Sequence, residues 1–135
     1  MALTTWNDSY SVKVKKLDAQ HKFFFEIINE LADAMRKGQG AAAVQPTLAQ
    51  LMKHLRTHIE EEEKLMRQTG YPEFAAHQEE HRLYLLRVEG YKADLEKAGN
   101  EDTVALLRIL RDIILEHMLR IDVAYSAHFS DNGIQ

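Results

Sequence analysis

No cysteine occurs in the 135 residues, which excludes disulfides, thiolate metal sites and a cysteine nucleophile and makes a reducing compartment, by default the cytoplasm, the expected setting. Proline is almost as scarce. Only Pro46 and Pro72 interrupt a chain rich in Leu, Ala, Glu, Lys, Met and Gln, which are good helix formers. No apolar run approaches the length of a membrane span, and residues 1–10 lack the basic start and apolar stretch of a secretory signal, so membrane insertion is not expected. A dense basic block is missing as well: 17 Lys and Arg against 21 Asp and Glu give a formal charge of -4, which argues against nucleic acid or anionic lipid as partners. The length suits one domain with one core, residues 1–135, either free-standing or carried within a longer chain.

What the chain does contain is helical periodicity. A first helix is expected from Leu17 or Asp18 to Lys37, with Phe24, Ile27, Ile28, Leu31 and Met35 on its apolar face and Gly38 to stop it. A second runs from about Ala42 to Thr69, with Pro46 in its first turn, and ends at Gly70-Tyr71-Pro72. The third spans roughly Glu73 to Ala98, with Gly99-Asn100 as its stop, and the fourth starts near Glu101 or Asp102 and continues to about Phe129. Short connectors between long helices imply antiparallel neighbours, hence an all-α, up-down-up-down four-helix bundle over residues 17–129. Residues 1–16 form an irregular arm, in which Trp6, Tyr10, Val12 and Val14 are available to pack across the bundle.

Histidine supplies the chemistry. In chain order the candidates are His21, then His58 with Glu62, then His77 with His81, then His117 with Asp122. A four-residue step advances about 400° around a helix, so His77 and His81 share a face, as do His58 and Glu62. The five-residue step from His117 to Asp122 advances about 500° and separates the two side chains by some 140° on an ideal helix. Either the helix widens to a π-type turn near Met118 to Ile121, or one of the two is not a ligand; the widening is favoured because Asp122 then pairs with Glu62. One isolated motif of this kind is ordinarily a solvated face or a satisfied buried histidine. A histidine on the apolar side of every predicted helix is what a metal site in a bundle core requires. Five imidazoles with two carboxylates suit a transition metal such as iron, and seven candidates are too many for one tetrahedral zinc bracing the helices.

These segments resemble the hemerythrins, specifically the single-domain bacterial type. The resemblance is carried by Trp6 in the arm, the run Leu17 to His21, His58 through Glu62 with Lys64-Leu65-Met66, Gly70-Tyr71-Pro72, Phe74 to His77 and on to His81, and His117 through Asp122. It implies a non-heme di-iron centre. His77, His81 and His117 would hold one iron, His21 and His58 the other, with Glu62, Asp122 and an oxo or hydroxo group as bridges. The second iron would keep an open position for dioxygen, or for a small ligand such as azide or nitric oxide. Around that position the offsets nominate Phe24, Phe25, Ile59, Ile113, Ile114 and Met118 as an apolar pocket that keeps out water. Many relatives carry Trp four residues before the last histidine; here the residue is Ile113, a smaller side chain that would widen a channel.

The expected function is reversible O2 binding for storage, delivery or scavenging, and not enzymatic turnover, with incidental oxidase or peroxidase activity. Two other classes stay open: an O2 or redox sensor signalling to a protein partner that the sequence does not identify, and a di-iron oxidase. Ferritin-like oxidases present Glu-x-x-His pairs, and no Glu-x-x-His occurs here. Of the remaining polar residues, His54 is expected to be exposed or packing and His128 to suit its own helix terminus. The run Glu60 to Glu63 reads as a solvated face apart from Glu62. Asp18 and Gln20 are placed to orient His21 or cap the first helix, and Tyr84 and Tyr125 read as core.

Overall fold

The computed structural model describes residues 4–98 and 102–135. Four helical rods build it: α1 (Lys15–Arg36), α2 (Gly40–Thr69), α3 (Phe74–Ala98), and a fourth that changes its winding along its length. That last rod begins as α4 (Thr103–Asp112), widens into a π-helical segment (Ile113–Ile121), tightens into a 3-10 turn (Asp122–Tyr125) and closes as α5 (Ser126–Asp131). The result is the four-helix bundle anticipated from the periodicity. No helix among the described residues is long and apolar enough to cross a membrane.

Glycine and aspartate mark the rod ends. Gly38 at φ +72° and Gly70 at φ +65° adopt the left-handed conformation that terminates α1 and α2. Asp102 caps α4 by accepting the Ala105 N–H at 2.9 Å. The expected stop at Gly99-Asn100 and a start at Glu101 lie outside the described residues.

Two boundaries differ from the sequence reading. α1 begins at Lys15, two residues before Leu17, because the extended Val14 already offers its carbonyl to the Asp18 N–H at 2.9 Å. α2 begins at Gly40 and not Ala42, so Pro46 sits in the second turn, where it withholds a hydrogen bond from the Ala42 carbonyl. Both residues are exposed, and water can serve that carbonyl. Gly40 itself is buried: a Cβ there would approach Met35 Cγ to 3.1 Å and Thr103 Cγ2 to 3.2 Å, so a side chain at the α1–α2 corner would have to push these two side chains aside by a few tenths of an ångström.

Two apolar clusters fill the bundle. The larger holds Phe24, Phe25, Ile28, Leu51, Leu55, Ile59, Val88, Leu110, Ile113, Ile114 and Met118, among others. The smaller contains Val12, Val14, Leu17, Met66, Tyr125 and Phe129. Every candidate ligand on α1, α2 and the last rod lies between residues of the two: His21 between Leu17 and Phe24, His58 and Glu62 between Leu55 and Met66, His117 and Asp122 between Ile114 and Tyr125. A polar layer is thus enclosed by apolar plugs above and below. The arm completes the smaller plug with Val12 and Val14. It is tied to α1 by Asp18, which accepts the Val12 N–H at 2.9 Å and the Ser11 hydroxyl, and by paired bonds of 3.0 and 2.8 Å between Thr4 and Asn29. Trp6 and Tyr10 pack on Phe25. Phe129→Ala, a truncation at 0% exposure in the smaller cluster, is expected to cost about 3–5 kcal/mol, read as a lower urea midpoint at unchanged slope.

Candidate metal centre

Two local devices bring paired polar side chains to the layer. α2 and α3 use the one-turn step, His58 with Glu62 and His77 with His81. The last rod uses the π segment: the Asp122 N–H bonds the His117 carbonyl, an i to i+5 closure that brings a five-residue step back to one face. His117 Nε2 and Asp122 Oδ1 consequently lie 3.0 Å apart. The widening spans Ile113–Ile121, more than the four residues suggested by the spacing alone.

All seven candidates are buried, and they converge as two overlapping groups: Glu62, His77, His81, His117 and Asp122 in one, His21, His58, Glu62 and Asp122 in the other. Within each group the potential ligand atoms lie within 4.8 Å of one another. The two carboxylates belong to both, and each divides its oxygens between them. Asp122 Oδ2 faces His21 Nε2 at 3.1 Å and Glu62 Oε2 faces His58 Nε2 at 3.2 Å. On the other side, Asp122 Oδ1 lies 2.9 Å from His77 Nε2, and Glu62 Oε1 lies 2.9 Å from His81 Nε2. His21 and His58 meet through their Nε2 atoms at 3.1 Å.

The electrostatics follow from this crowding. Burial acts to lower the histidine pKa values, but the Asp122 and Glu62 carboxylates outweigh it, and His21 and His77 rise to about 9 and His117 to about 10. Burial likewise opposes ionisation of the two carboxylates, yet the surrounding imidazoles hold Glu62 and Asp122 well below the usual carboxylate range. Protons here do the work that a cation would do. Even so the layer is not satisfied, since both Asp122 oxygens and both His117 ring nitrogens are buried without a hydrogen bond of adequate alignment. Unpaired anionic oxygens and imidazole nitrogens aimed into a shared space fit a site for cations, and the mixed nitrogen and oxygen donors fit iron.

Several supporting residues escaped the sequence reading. Glu63, assigned to a solvated face, is only 8% exposed and accepts from His81 Nδ1 at 2.8 Å. Gln20 supports His58 and not His21: its Oε1 faces His58 Nδ1 at 2.7 Å. Asp18 serves the arm instead. Tyr125 is core, as expected, but its hydroxyl also donates to Glu62 Oε2. His128 bonds the Thr69 carbonyl at 3.1 Å, so it caps the end of α2 and not its own helix. His54 stacks on Phe23, the packing role expected of it. No local pattern distinguishes these roles, because each depends on a neighbouring rod.

The pocket candidates Phe24, Phe25, Ile59, Ile113, Ile114 and Met118 all fall in the larger apolar cluster. Phe24 reaches the layer directly, with its ring centroid 5.8 Å from that of His58. Phe25 also faces the arm, against Trp6 and Tyr10.

Residues 12–127 match the family model described as the hemerythrin HHE cation binding domain. Bacteriohemerythrin from Methylococcus capsulatus is 34% identical over 133 residues, covering 93% of this chain and 95% of that protein. Bacteriohemerythrin from Stenotrophomonas maltophilia is 31% identical over 126 residues, covering 93% and 81%. The crystal structure of wild-type hemerythrin superposes with a TM-score of 0.85 at 28% identity, over 96% of this chain and 99% of that one. Fold, buried donor layer and sequence match agree, and the chain belongs to the hemerythrin family.

Proposed function

We propose that this protein holds two iron ions and binds dioxygen reversibly, as a carrier, store or scavenger and not as an enzyme. One observation supports this above the others: each of the two buried carboxylates turns one oxygen to a three-histidine group and the other to a two-histidine group. In this reading His77, His81 and His117 hold one iron, His21 and His58 the other, and Glu62 and Asp122 bridge them, together with an oxo or hydroxo group. Iron bound there supplies electrons and, on the side with fewer histidines, a coordination position for O2 or for azide or nitric oxide.

The protein's part is to orient and to keep dry. Gln20 and Glu63 fix His58 and His81 with Nε2 turned inward, and the Tyr125 hydroxyl holds Glu62. Phe24, Ile113, Ile114 and Met118, each at 1% exposure or less, keep water from the layer and so oppose irreversible oxidation. Residence in the cytoplasm fits the lack of cysteine. Nothing in the sequence or fold favours the sensor reading over the carrier.

Anaerobically reduced, iron-loaded protein is expected to develop a visible charge-transfer band on exposure to O2 and to lose it on deoxygenation. Irreversible bleaching would instead leave an oxidase or sensor. Ile113→Trp is expected to lengthen the lifetime of the oxygenated protein several-fold, followed as decay of that band. An unchanged lifetime would remove Ile113 from the water barrier.

A further inference from the structure

Two of the five histidines are held from behind by another side chain, and the two holders differ in charge. His58 Nδ1 faces Gln20 Oε1, a neutral amide, at 2.7 Å. His81 Nδ1 faces Glu63 Oε2, a carboxylate, at 2.8 Å, and the other oxygen of Glu63 accepts from Gln78 Nε2 at 3.1 Å. Either acceptor places the proton on Nδ1 and frees the Nε2 lone pair. Only the carboxylate adds a negative charge, and at 8% exposure little water screens it. His58 belongs to the two-histidine group and His81 to the three-histidine group. Additional positive charge is therefore stabilised more on the His81 side.

We infer that Glu63 is a positioning residue that makes the three-histidine iron the first to be oxidised, while Gln20 leaves the two-histidine iron the harder to oxidise. The inference rests on the di-iron reading above. Each step passes one electron from one ferrous ion to an external oxidant of the ferricyanide type, and no bond to the ligands is made or broken. The two-histidine iron then keeps its electron longest, so the first oxidation leaves a mixed-valent pair with the ferrous ion on the His21 and His58 side.

An anaerobic redox titration of the loaded protein, after iron analysis, tests this. The parent should show two separate one-electron steps. Glu63→Gln keeps an acceptor for His81 but removes the charge; it should raise the lower potential and narrow the gap. A tenfold loss of preference for the ferric state, at the low end of the roughly 10–100-fold effects of supporting residues, corresponds to about 59 mV. Gln20→Glu adds the charge behind His58, and it should lower the higher potential and narrow the gap from the other side. A gap that widens in either variant, or steps that stay unmoved with two irons bound, would overturn the order of oxidation, as would coincident steps in the parent. Fewer than two irons in the parent would sink the di-iron reading itself. Because a merely structural role would not move the two potentials in this sense, and because the second variant does not touch Glu63, misfolding of one variant leaves the test intact.

Discussion

Asp122→Asn is expected to reduce bound iron from two ions per chain to one or none under loading conditions that saturate the parent. The substitution preserves shape and removes the charge that is shared by both histidine groups, with oxygens at 3.1 Å from His21, 2.9 Å from His77 and 3.0 Å from His117. Loss of a supporting residue typically costs roughly 10–100-fold in metal affinity, and the loss of a bridging carboxylate should exceed that. The iron-free variant carries an independent signature. Burial is the largest influence on His21, His77 and His117 and acts downward, so without Asp122 their pKa values should fall from about 9 and 10 toward the ordinary 6.5. NMR titration of the imidazoles checks this without any metal. Glu61→Gln, at a half-buried carboxylate paired with Lys16 and outside the donor layer, is the control and should bind two irons. Normal stoichiometry in Asp122→Asn would contradict the bridging role.

Iron loading near pH 7 should release about three protons per chain, one from each histidine held above neutrality. Metal affinity should accordingly rise by about tenfold per pH unit for each proton displaced, over roughly pH 6 to 8. Calorimetry in buffers of different ionisation heat measures the release directly. Stability runs the other way in the iron-free protein. The folded-state pKa values lie above the unfolded value of 6.5, so the stability these histidines contribute is complete below pH 6.5 and is lost as pH rises through about 9 to 10. The melting temperature of iron-free protein should therefore decline across that window. With metal in place of the protons the decline should vanish. Fewer than one proton released would mean that the histidines are neutral before loading.

Much of this was legible in the residues because both the bundle and the donor layer are written in steps of three to five along single helices. The one-turn pairs on α2 and α3 could be placed on common faces directly. Even the π segment announced itself, as a five-residue step between His117 and Asp122 that an α-helix cannot accommodate. Contacts between rods were not legible. Glu63 sits in a run of four glutamates, and nothing along α2 separates it from the exposed Glu60 and Lys64; its burial depends on where α3 places His81 and Gln78. Gln20 precedes His21 and so suggested a local partner, whereas the helix turns it about 100° away from its neighbour, toward His58 on α2. Along the chain His128 has only its own helix terminus to serve, because the proximity of Thr69 is a property of the fold.

The mixed winding of the last rod has a consequence for its length in residues. His117 is phased with the apolar stripe before it, whereas Tyr125 and Phe129 are phased with Asp122, three and seven residues on. The π segment is the joint between the two registers. Removing one residue between His117 and Asp122 would turn their spacing into an ordinary four-residue α-helical step, with both still on one face and everything downstream in phase. The same deletion between Asp122 and Tyr125 would rotate Tyr125 by about 100° off Glu62 and take Phe129 out of the plug it shares with Val12 and Met66. The chain therefore carries one spare residue, and it is confined to the segment that aims the Asp122 carboxylate at His117.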